Sequence, residues 1–306
     1  LALPLFTFAG YVLAESKLSF RLVHLTQVFL GWLPGGLAVV AFITCAFFTA
    51  FTGASGVTIV AVGALLLPAL VQAGYPEKFS LGLVTTSGSL GLLLAPSLPL
   101  IIYGVIVQQM DLPVPFTIQE LFIAGTLPAL LMIVLLTLYS IWVTRGAPIV
   151  RGSYTRADAL AAVKASRWEI PMPILVLGGI YSGYFAVSEA AAVTAFYVLL
   201  VEVVIHGEVK VKALPKIIRE SMIMVGGILL ILGVSLAFTN FLIDSEVPQA
   251  LFAWIQTFVS DKLTFLILLN IVLLVLGAIL DIFSALVIMI PLIVPMAIGF
   301  GVDPVH

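Results

Sequence analysis

Long apolar stretches alternate with short polar gaps along the whole chain. The stretches cover roughly 1–14, 33–52, 56–73, 79–107, 121–144, 170–185, 188–206, 221–243, 263–280 and 284–300. The hydrocarbon core of a bilayer is about 30 Å thick, and about 20 helical residues span it. The pattern therefore predicts an all-α integral membrane protein. Two stretches read differently. Residues 16–31 mix Lys17, Arg21, His24 and Gln27 with Leu18, Leu22, Leu25 and Phe29. Residues 247–260 mix Gln249 and Gln256 with Leu251, Phe252, Trp254 and Phe258. Both patterns predict amphipathic helices lying in the membrane interface.

The gaps carry a sidedness signal. Basic residues collect in 14–21, 145–168 and 206–220, whereas 111–120 and 244–246 hold acids and no base. Cationic residues favour short cytoplasmic loops, so the first three gaps are placed inside and the last two outside. The intervening helices then alternate without conflict. Of the 13 Lys and Arg residues, only Lys262 falls on the wrong side. Lys78 must also lie inside, so 33–52 and 56–73 leave the inside and return to it, as two crossings or as one re-entrant hairpin.

Composition sharpens the class. Of the 306 residues, 62% are hydrophobic and 9% charged, with mean hydropathy +1.26. A soluble domain carries about 25% charged residues. No basic face for nucleic acid is present. The lone Cys45 sits in an apolar run and reads as a packed small residue. His24, His206 and His306 read as unclustered, and no metal-ligand spacing, nucleotide loop or hydrolase triad occurs. The chain begins inside an apolar stretch without Met and ends just after a turn signal, which reads as a fragment lacking both termini.

Sliding the chain on itself by 229 residues lays Glu15-Ser16 on Asp244-Ser245 and one amphipathic stretch on the other. Gln27 and Phe29 then meet Gln256 and Phe258, and Ser55 meets Ser284. Helix, surface helix, apolar pair and turn recur in the same order. Stretch 1–14 ends inside and its partner 221–243 ends outside, so the repeats are inverted. Inverted repeats build many secondary transporters, with the binding sites near midplane between them.

Three places could carry chemistry. The tip Phe51-Thr-Gly-Ala-Ser-Gly-Val-Thr58 offers the hydroxyls of Thr52, Ser55 and Thr58, open backbone at Gly53 and Gly56, and a helix start near Ser55. A helix start suits an anion; an ordinary turn is the alternative. Within 79–107, Thr85–Gly91 and Ala95-Pro-Ser-Leu-Pro99 predict a broken helix whose freed carbonyls suit a hard cation. A plain proline kink is the alternative there. Asp281 is the one carboxylate in an apolar stretch of nearly forty residues, a default functional position in a membrane. It could instead cap the helix that follows. Glu189 is read as a structural acid complementing a helix dipole, with Ser188 as the cap.

These stretches resemble the large membrane subunit of tripartite ATP-independent periplasmic (TRAP) transporters, the DctM-like permeases. The resemblance rests on Leu3-Pro-Leu-Phe-Thr-Phe-Ala-Gly10, residues 51–58, Ser89-Leu-Gly-Leu-Leu-Leu-Ala-Pro-Ser-Leu-Pro-Leu-Ile-Ile-Tyr-Gly104, Glu189-Ala-Ala-Ala192, Leu280-Asp281 and Gly301-Val-Asp-Pro-Val-His306. The chain departs from the family at Ala186-Val187-Ser188-Glu189, where a Thr-Pro-Thr-Glu run is common, and at Ala95-Pro96-Ser97, where two prolines often precede the serine.

The resemblance implies a sodium-driven importer of small organic anions in the bacterial inner membrane, with sodium as coupling ion and no cofactor. Its implied partners are a small four-helix membrane subunit and a periplasmic substrate-binding protein. It also implies an elevator-type fold of inverted repeats with re-entrant hairpins. The expected parts are a scaffold and arm in 1–34, a transport domain in 35–110, scaffold helices in 111–246, a second arm in 247–261 and the second hairpin in 262–306. The first sodium site would draw on Thr52, Gly53, Ser55, Ser87, Gly88 and Pro96, the second on Gly277 and Asp281. Ser55, Ser97 and Ser284 would meet the substrate. The alternatives are a proton-coupled carrier of another inverted-repeat family, an enzyme acting on lipid-linked substrates, or a scaffold without transport of its own.

Overall fold

Helix α3 (Gly36–Thr52) is the most enclosed element of the protein, and its sequence explains why. It is apolar on every face, the pattern of a helix with no water-facing side, and Ala38, Val40, Ala41, Phe42, Cys45 and Phe48 are buried. The fold around it comes from a computed structural model that describes residues 2–33, 35–110, 117–146, 149, 155–259 and 261–306. Asp111 and Arg151, used above for sidedness, lie outside the described residues.

Among the described residues every regular element is helical. Before α3 come α1 (Ala2–Glu15) and α2 (Leu18–Leu30); after it come α4 (Ser55–Ala61), α5 (Gly63–Gln72), α6 (Glu77–Ser87), a 3-10 turn (Leu90–Leu93) and α7 (Leu98–Gln108). Then follow α8 (Ile118–Val143), α9 (Arg156–Ala165), α10 (Pro171–Tyr181), α11 (Val187–Leu199) continued by a π-helical turn (Leu200–Ile205), and α12 (Leu214–Asp244). The chain closes with α13 (Val247–Gln256), α14 (Lys262–Ile279) and α15 (Ile282–Gly299). Five helical segments are long and apolar enough to cross a membrane, or up to seven if each of two bent pairs counts as one span. The bent pairs are α4 with α5, at 50°, and residues 77–93 with α7, at 41°.

Length decides which helices can span. The 26 residues of α8 rise about 39 Å, and the outward row Leu127, Leu131, Leu135 and Leu138 is exposed, as a lipid-facing helix requires. The 11 residues of α10 rise only about 17 Å. The apolar stretch 170–185 is thus not one helix. It ends at Tyr181 in a turn through Gly183, whose φ of +75° suits glycine.

The chain falls into two packed units, residues 1–98 with 125–222 and residues 99–124 with 223–306. In the first, α3 is wrapped by α1, α2, α4, α6 and the 3-10 turn, while α1 also packs on α11. Glycines allow the closest approaches. Gly10 lets α1 meet the α3 end, since a Cβ there would sit 2.5 Å from Thr52 Cα. In the second unit, Val259, Phe265, Met296, Ala297 and Val302 form a small core, covered by Leu251, Phe252 and Ile255 of α13 and by Phe300. Phe265 and Phe300 stack at 4.4 Å. Trp254 and Phe258 are left outward, the apolar face expected of an interfacial helix.

Elements recur at the spacing read from the sequence. Helices α1 and α12 end 229 residues apart, at Glu15 and Asp244, and α2 and α13 begin 229 apart, at Leu18 and Val247. The later pairs α3/α14 and α4/α15 start 226 and 227 residues apart.

Two expectations about helix starts change. Ser188 is not a cap: Ala186 holds that position, and its N–H donates to Glu189 Oε2 at 2.9 Å. Alanine has no oxygen to return the bond, so only half of a capping box forms. Lys262, the base that broke the sidedness pattern, donates to the Gly301 carbonyl at 2.8 Å, behind a genuine cap. There Asp261 Oδ2 accepts from the Thr264 N–H at 2.9 Å. Asp261→Ala should therefore cost about 1 kcal/mol and lower the thermal midpoint in detergent by a few degrees. An unchanged midpoint would show that the α14 start does not depend on this cap.

Candidate functional site

A turn between two helices and a break inside a third lie side by side at one end of α3. Helix α3 stops at Gly53, which adopts φ +66°, and α4 starts at Ser55 behind Ala54. Only glycine takes that conformation without strain. Leu98 packs against Gly53, leaving no room for a side chain: a Cβ would lie 2.3 Å from Leu98 Cδ1. The turn expected at 51–58 is therefore present, with the helix start at Ser55 as anticipated.

The expected break within 79–107 is present and wider than a kink. α6 ends at Ser87 and α7 begins at Leu98, with the 3-10 turn between them and a cis bond joining Ala95 to Pro96. Pro99 does not free a mid-helix carbonyl, contrary to expectation. It is the second residue of α7, where a missing N–H costs nothing. The open backbone lies upstream, over 88–97.

Buried hydroxyls gather on that open backbone. Thr49, Thr52, Thr58, Ser87 and Ser97 are all fully buried. Thr49 Oγ1 lies 2.7 Å from Thr58 Oγ1 and 2.8 Å from the Gly88 carbonyl oxygen. Its single hydrogen can serve only one of them at a time. Thr52 Oγ1 stands 3.4 Å from Thr58 Oγ1. The Ser55 carbonyl also faces Gly88, 3.2 Å from where a Cβ would project. Ser97 donates to the Leu92 carbonyl, and Ser87 to the Val84 carbonyl at 2.9 Å. In a bilayer, non-helical backbone persists only where its polar groups find partners, and these side chains supply them. Hard oxygen donors of this kind suit a hard cation.

Of the residues anticipated for a first cation site, the fold brings Thr52, Gly53, Ser55 and Gly88 to this tip. The Ser87 hydroxyl turns back into its own helix, and Pro96 is buried beyond the 3-10 turn. Thr49 is the residue missed. It sits one turn before Thr52 on the same helical face, the only sequence signal that could have named it.

The second candidate group sits in the other unit. Asp281 caps α15, with Oδ2 accepting from the N–H groups of Phe283 (3.0 Å) and Ser284 (3.2 Å). The Ser284 N–H is thus already satisfied by Asp281. Asp281 and Gly277 are exposed. A cavity of about 440 Å³ adjoins this turn, lined by Gly277 and Ile282 at one end and by Tyr103, Asn270, Asp303 and His306 among many apolar side chains.

The comparisons with known proteins agree with this architecture. The family model for the DctM component of tripartite ATP-independent periplasmic transporters matches residues 1–306. The isethionate TRAP transporter permease protein DctMQ of Oleidesulfovibrio alaskensis is 33% identical over the whole chain, which spans 47% of that protein. The C4-dicarboxylate TRAP transporter large permease proteins DctM of Rhodobacter capsulatus and Pseudomonas aeruginosa are 32% and 30% identical over the whole chain, which spans 71% and 70% of their lengths. These relatives are named as permease proteins, not enzymes. With its match along the full chain and its apolar helices, this multi-pass membrane protein belongs to the DctM family of TRAP transporter large permeases.

Proposed function

We propose that this chain carries the translocation machinery of a sodium-coupled secondary importer of a small organic anion. The observation that carries the reading is the oxygen cluster of Thr49, Thr52, Thr58 and the Gly88 carbonyl where the α3–α4 turn meets the broken helix. In this reading Thr52, Gly53, Ser55 and Gly88, with Thr49 and Thr58 added, hold one sodium ion, with Ser87 and Pro96 shaping the break. Gly277 and Asp281 contribute to a second, and Ser55, Ser97 and Ser284 meet the substrate anion. The α3–α5 and α14–α15 pairs act as hairpins of two inverted repeats that move as an elevator against the remaining helices. The relatives' named substrates, isethionate and C4-dicarboxylates, are small sulfonate and carboxylate anions, the class proposed here.

A small four-helix membrane subunit and a periplasmic binding protein complete the system in the bacterial inner membrane. The fused name DctMQ of one relative supports a second membrane component. The energetics are adequate. One net charge crossing about 100 mV supplies roughly 2.3 kcal/mol. Each sodium ion adds about 1.4 kcal/mol per tenfold gradient. Two sodium ions with one monoanion reach about 5 kcal/mol, enough for several-thousand-fold accumulation without ATP.

Uptake in proteoliposomes tests the proposal. Radiolabelled C4-dicarboxylate and isethionate are offered to the permease with its small subunit. Accumulation requiring both an inward sodium gradient and the binding protein is the expected result. Accumulation driven by a proton gradient alone, without binding protein, overturns it. Asp281→Asn keeps a capping oxygen but removes the charge, and should cut sodium-driven uptake at least tenfold. Unchanged uptake would reduce Asp281 to a helix cap.

A further inference from the structure

Away from both candidate sites, the first unit contains a buried ionic cluster with more acid than base. Arg21 enters it from α2. Its Nε lies 2.5 Å from Glu169 Oε1, its Nη1 2.6 Å from Glu208 Oε1, and its Nη2 3.3 Å from both oxygens of Glu202. His206 Nε2 stands 3.3 Å from Glu169 Oε1, so the histidine read as isolated is not. Glu208 Oε2 accepts from the Lys17 backbone N–H at 2.9 Å. From α11, the Tyr197 hydroxyl donates to the Trp168 carbonyl at 2.6 Å, next to Glu169.

Three carboxylates thus face one guanidinium, and Arg21, Glu169 and Glu202 are 9%, 5% and 1% exposed. Fully ionised, with His206 neutral, the group would carry two uncompensated negative charges out of water, which low-dielectric surroundings strongly oppose. Glu169 adds a second, independent sign. Neither of its oxygens has a hydrogen-bond partner, although both are buried and Oε1 is within ion-pair distance of Arg21 and His206. A buried carboxyl with unclaimed oxygens calls for something to fill them. The helix carrying Glu202 is also irregular. It widens into the π turn Leu200–Ile205, closed by the His206 N–H on the Val201 carbonyl at 2.8 Å. Such turns cost stability and cluster at functional positions. This one leaves the Glu202 carbonyl accepting from the Glu208 and Val209 N–H groups, bringing the 206–209 segment onto the cluster.

We propose that Arg21, Glu169, Glu202, His206 and Glu208 form a proton-binding site that holds one hydron, shared among Glu169, Glu202 and His206, and so fastens α2 to the 166–169 turn and the 200–208 segment. Binding is a simple protonation. Hydronium gives its proton to a carboxylate oxygen or the imidazole nitrogen, one O–H or N–H bond forms, and water is released. The folded protein then holds a proton that the unfolded chain, with ordinary carboxylates and imidazole, gives up. Stability therefore falls as pH rises from the ordinary carboxylate range through the titration of the cluster, by up to tenfold in the folding equilibrium constant per pH unit. Glu208 acts in the opposite direction and in a different window. Burial alone would raise its pKa. The Lys17 N–H, the Arg21 hydrogen bond and the charges of Arg21 and His206 outweigh burial and hold it below the usual carboxylate range. Its contribution is present above its unfolded-state pKa and fades only as pH falls below that, so measurements from about pH 6 upward isolate the proposed proton.

Thermal and urea unfolding of the purified protein in detergent between about pH 6 and 9 tests the site. The wild type should lose stability as pH rises. Glu202→Gln and Glu169→Gln, which supply a permanent neutral amide, should flatten that slope and leave the protein more stable than wild type at the alkaline end. A flat wild-type profile, or an unchanged slope in both variants, overturns the proposal. Infrared difference spectroscopy on the wild type covers the case of poorly folding variants. A protonated-carboxyl C=O band, or an imidazolium signal lost in His206→Gln, should vanish as pH is raised. Absence of both signals at neutral pH overturns the site. None of these readouts depends on transport.

Discussion

Alanine at Gly91 is expected to abolish accumulation of folded protein. The 3-10 turn carrying Gly91 lies directly on α3, and an added Cβ would sit 2.1 Å from the Ala46 carbonyl oxygen and 2.6 Å from the Ala50 nitrogen. Both are backbone atoms of a helix enclosed on all sides, so neither can swing away as a side-chain tip could. Overpacking a tight core costs about 1–3 kcal/mol, and a clash with immovable backbone belongs at or above the upper end. The matched control is Gly82→Ala in α6, where a Cβ meets nothing within 4 Å and alanine is the better helix former by roughly 1 kcal/mol. Size-exclusion yield and thermal midpoint in detergent report both. If Gly91→Ala behaved like Gly82→Ala, the close seating of the 3-10 turn on α3 would be wrong, and with it the position of the broken helix.

Thr49→Val should be the substitution most damaging to transport for its size. Valine matches threonine in shape but removes the oxygen that lies against both Thr58 and the Gly88 carbonyl. A buried carbonyl left without its partner costs about 1–3 kcal/mol, which a protein of this size can survive. Sodium-driven uptake, in contrast, should fall at least tenfold, with a higher sodium concentration needed for half-maximal rate. Thr49→Ser, which keeps the hydroxyl, should recover most of both. Thr85→Val serves as the reference, because that hydroxyl is exposed and only bonds back to the Leu81 and Gly82 carbonyls of its own helix. Uptake by Thr49→Val within twofold of wild type would remove the oxygen cluster from the sodium pathway.

The two candidate sites differ in how far geometry supports them. At the α3–α4 turn, oxygens from three separate segments converge and are buried. At Asp281, the carboxylate is exposed and its contacts are the N–H groups of its own helix. The two readings of Asp281 are compatible, since a capping carboxylate has a second oxygen available. Uptake by Asp281→Asn is the experiment that separates them.

Much of this architecture was legible in the chain because it follows from local rules. Length and hydropathy marked the spanning helices, since the bilayer admits little else. Glycines and small hydroxyl residues marked the turn at 53–54, prolines and glycines the break before Leu98, and an Asp before an apolar run the cap at 281. The spacing of 229 residues anticipated where α2 and α13 begin. The extent of the break was less legible, because Pro99 looks the same in sequence whether it interrupts a helix or starts one.

Tertiary structure alone decided which side chains meet. Thr49 is one more threonine in an apolar run until folding sets it against Gly88, 39 residues away. Arg21 read as one of several bases marking a membrane side; folding places it against Glu169, Glu202 and Glu208, the last 187 residues distant in sequence. That meeting also brings the ends of three separate polar gaps to one place. The physical reason is one of range. Helix periodicity, capping and lipid exposure act over a few residues and leave a mark in composition, whereas pairing of buried polar groups is settled by packing between distant segments. A polar residue in an apolar run shows only that a partner is required, and the fold supplies its identity.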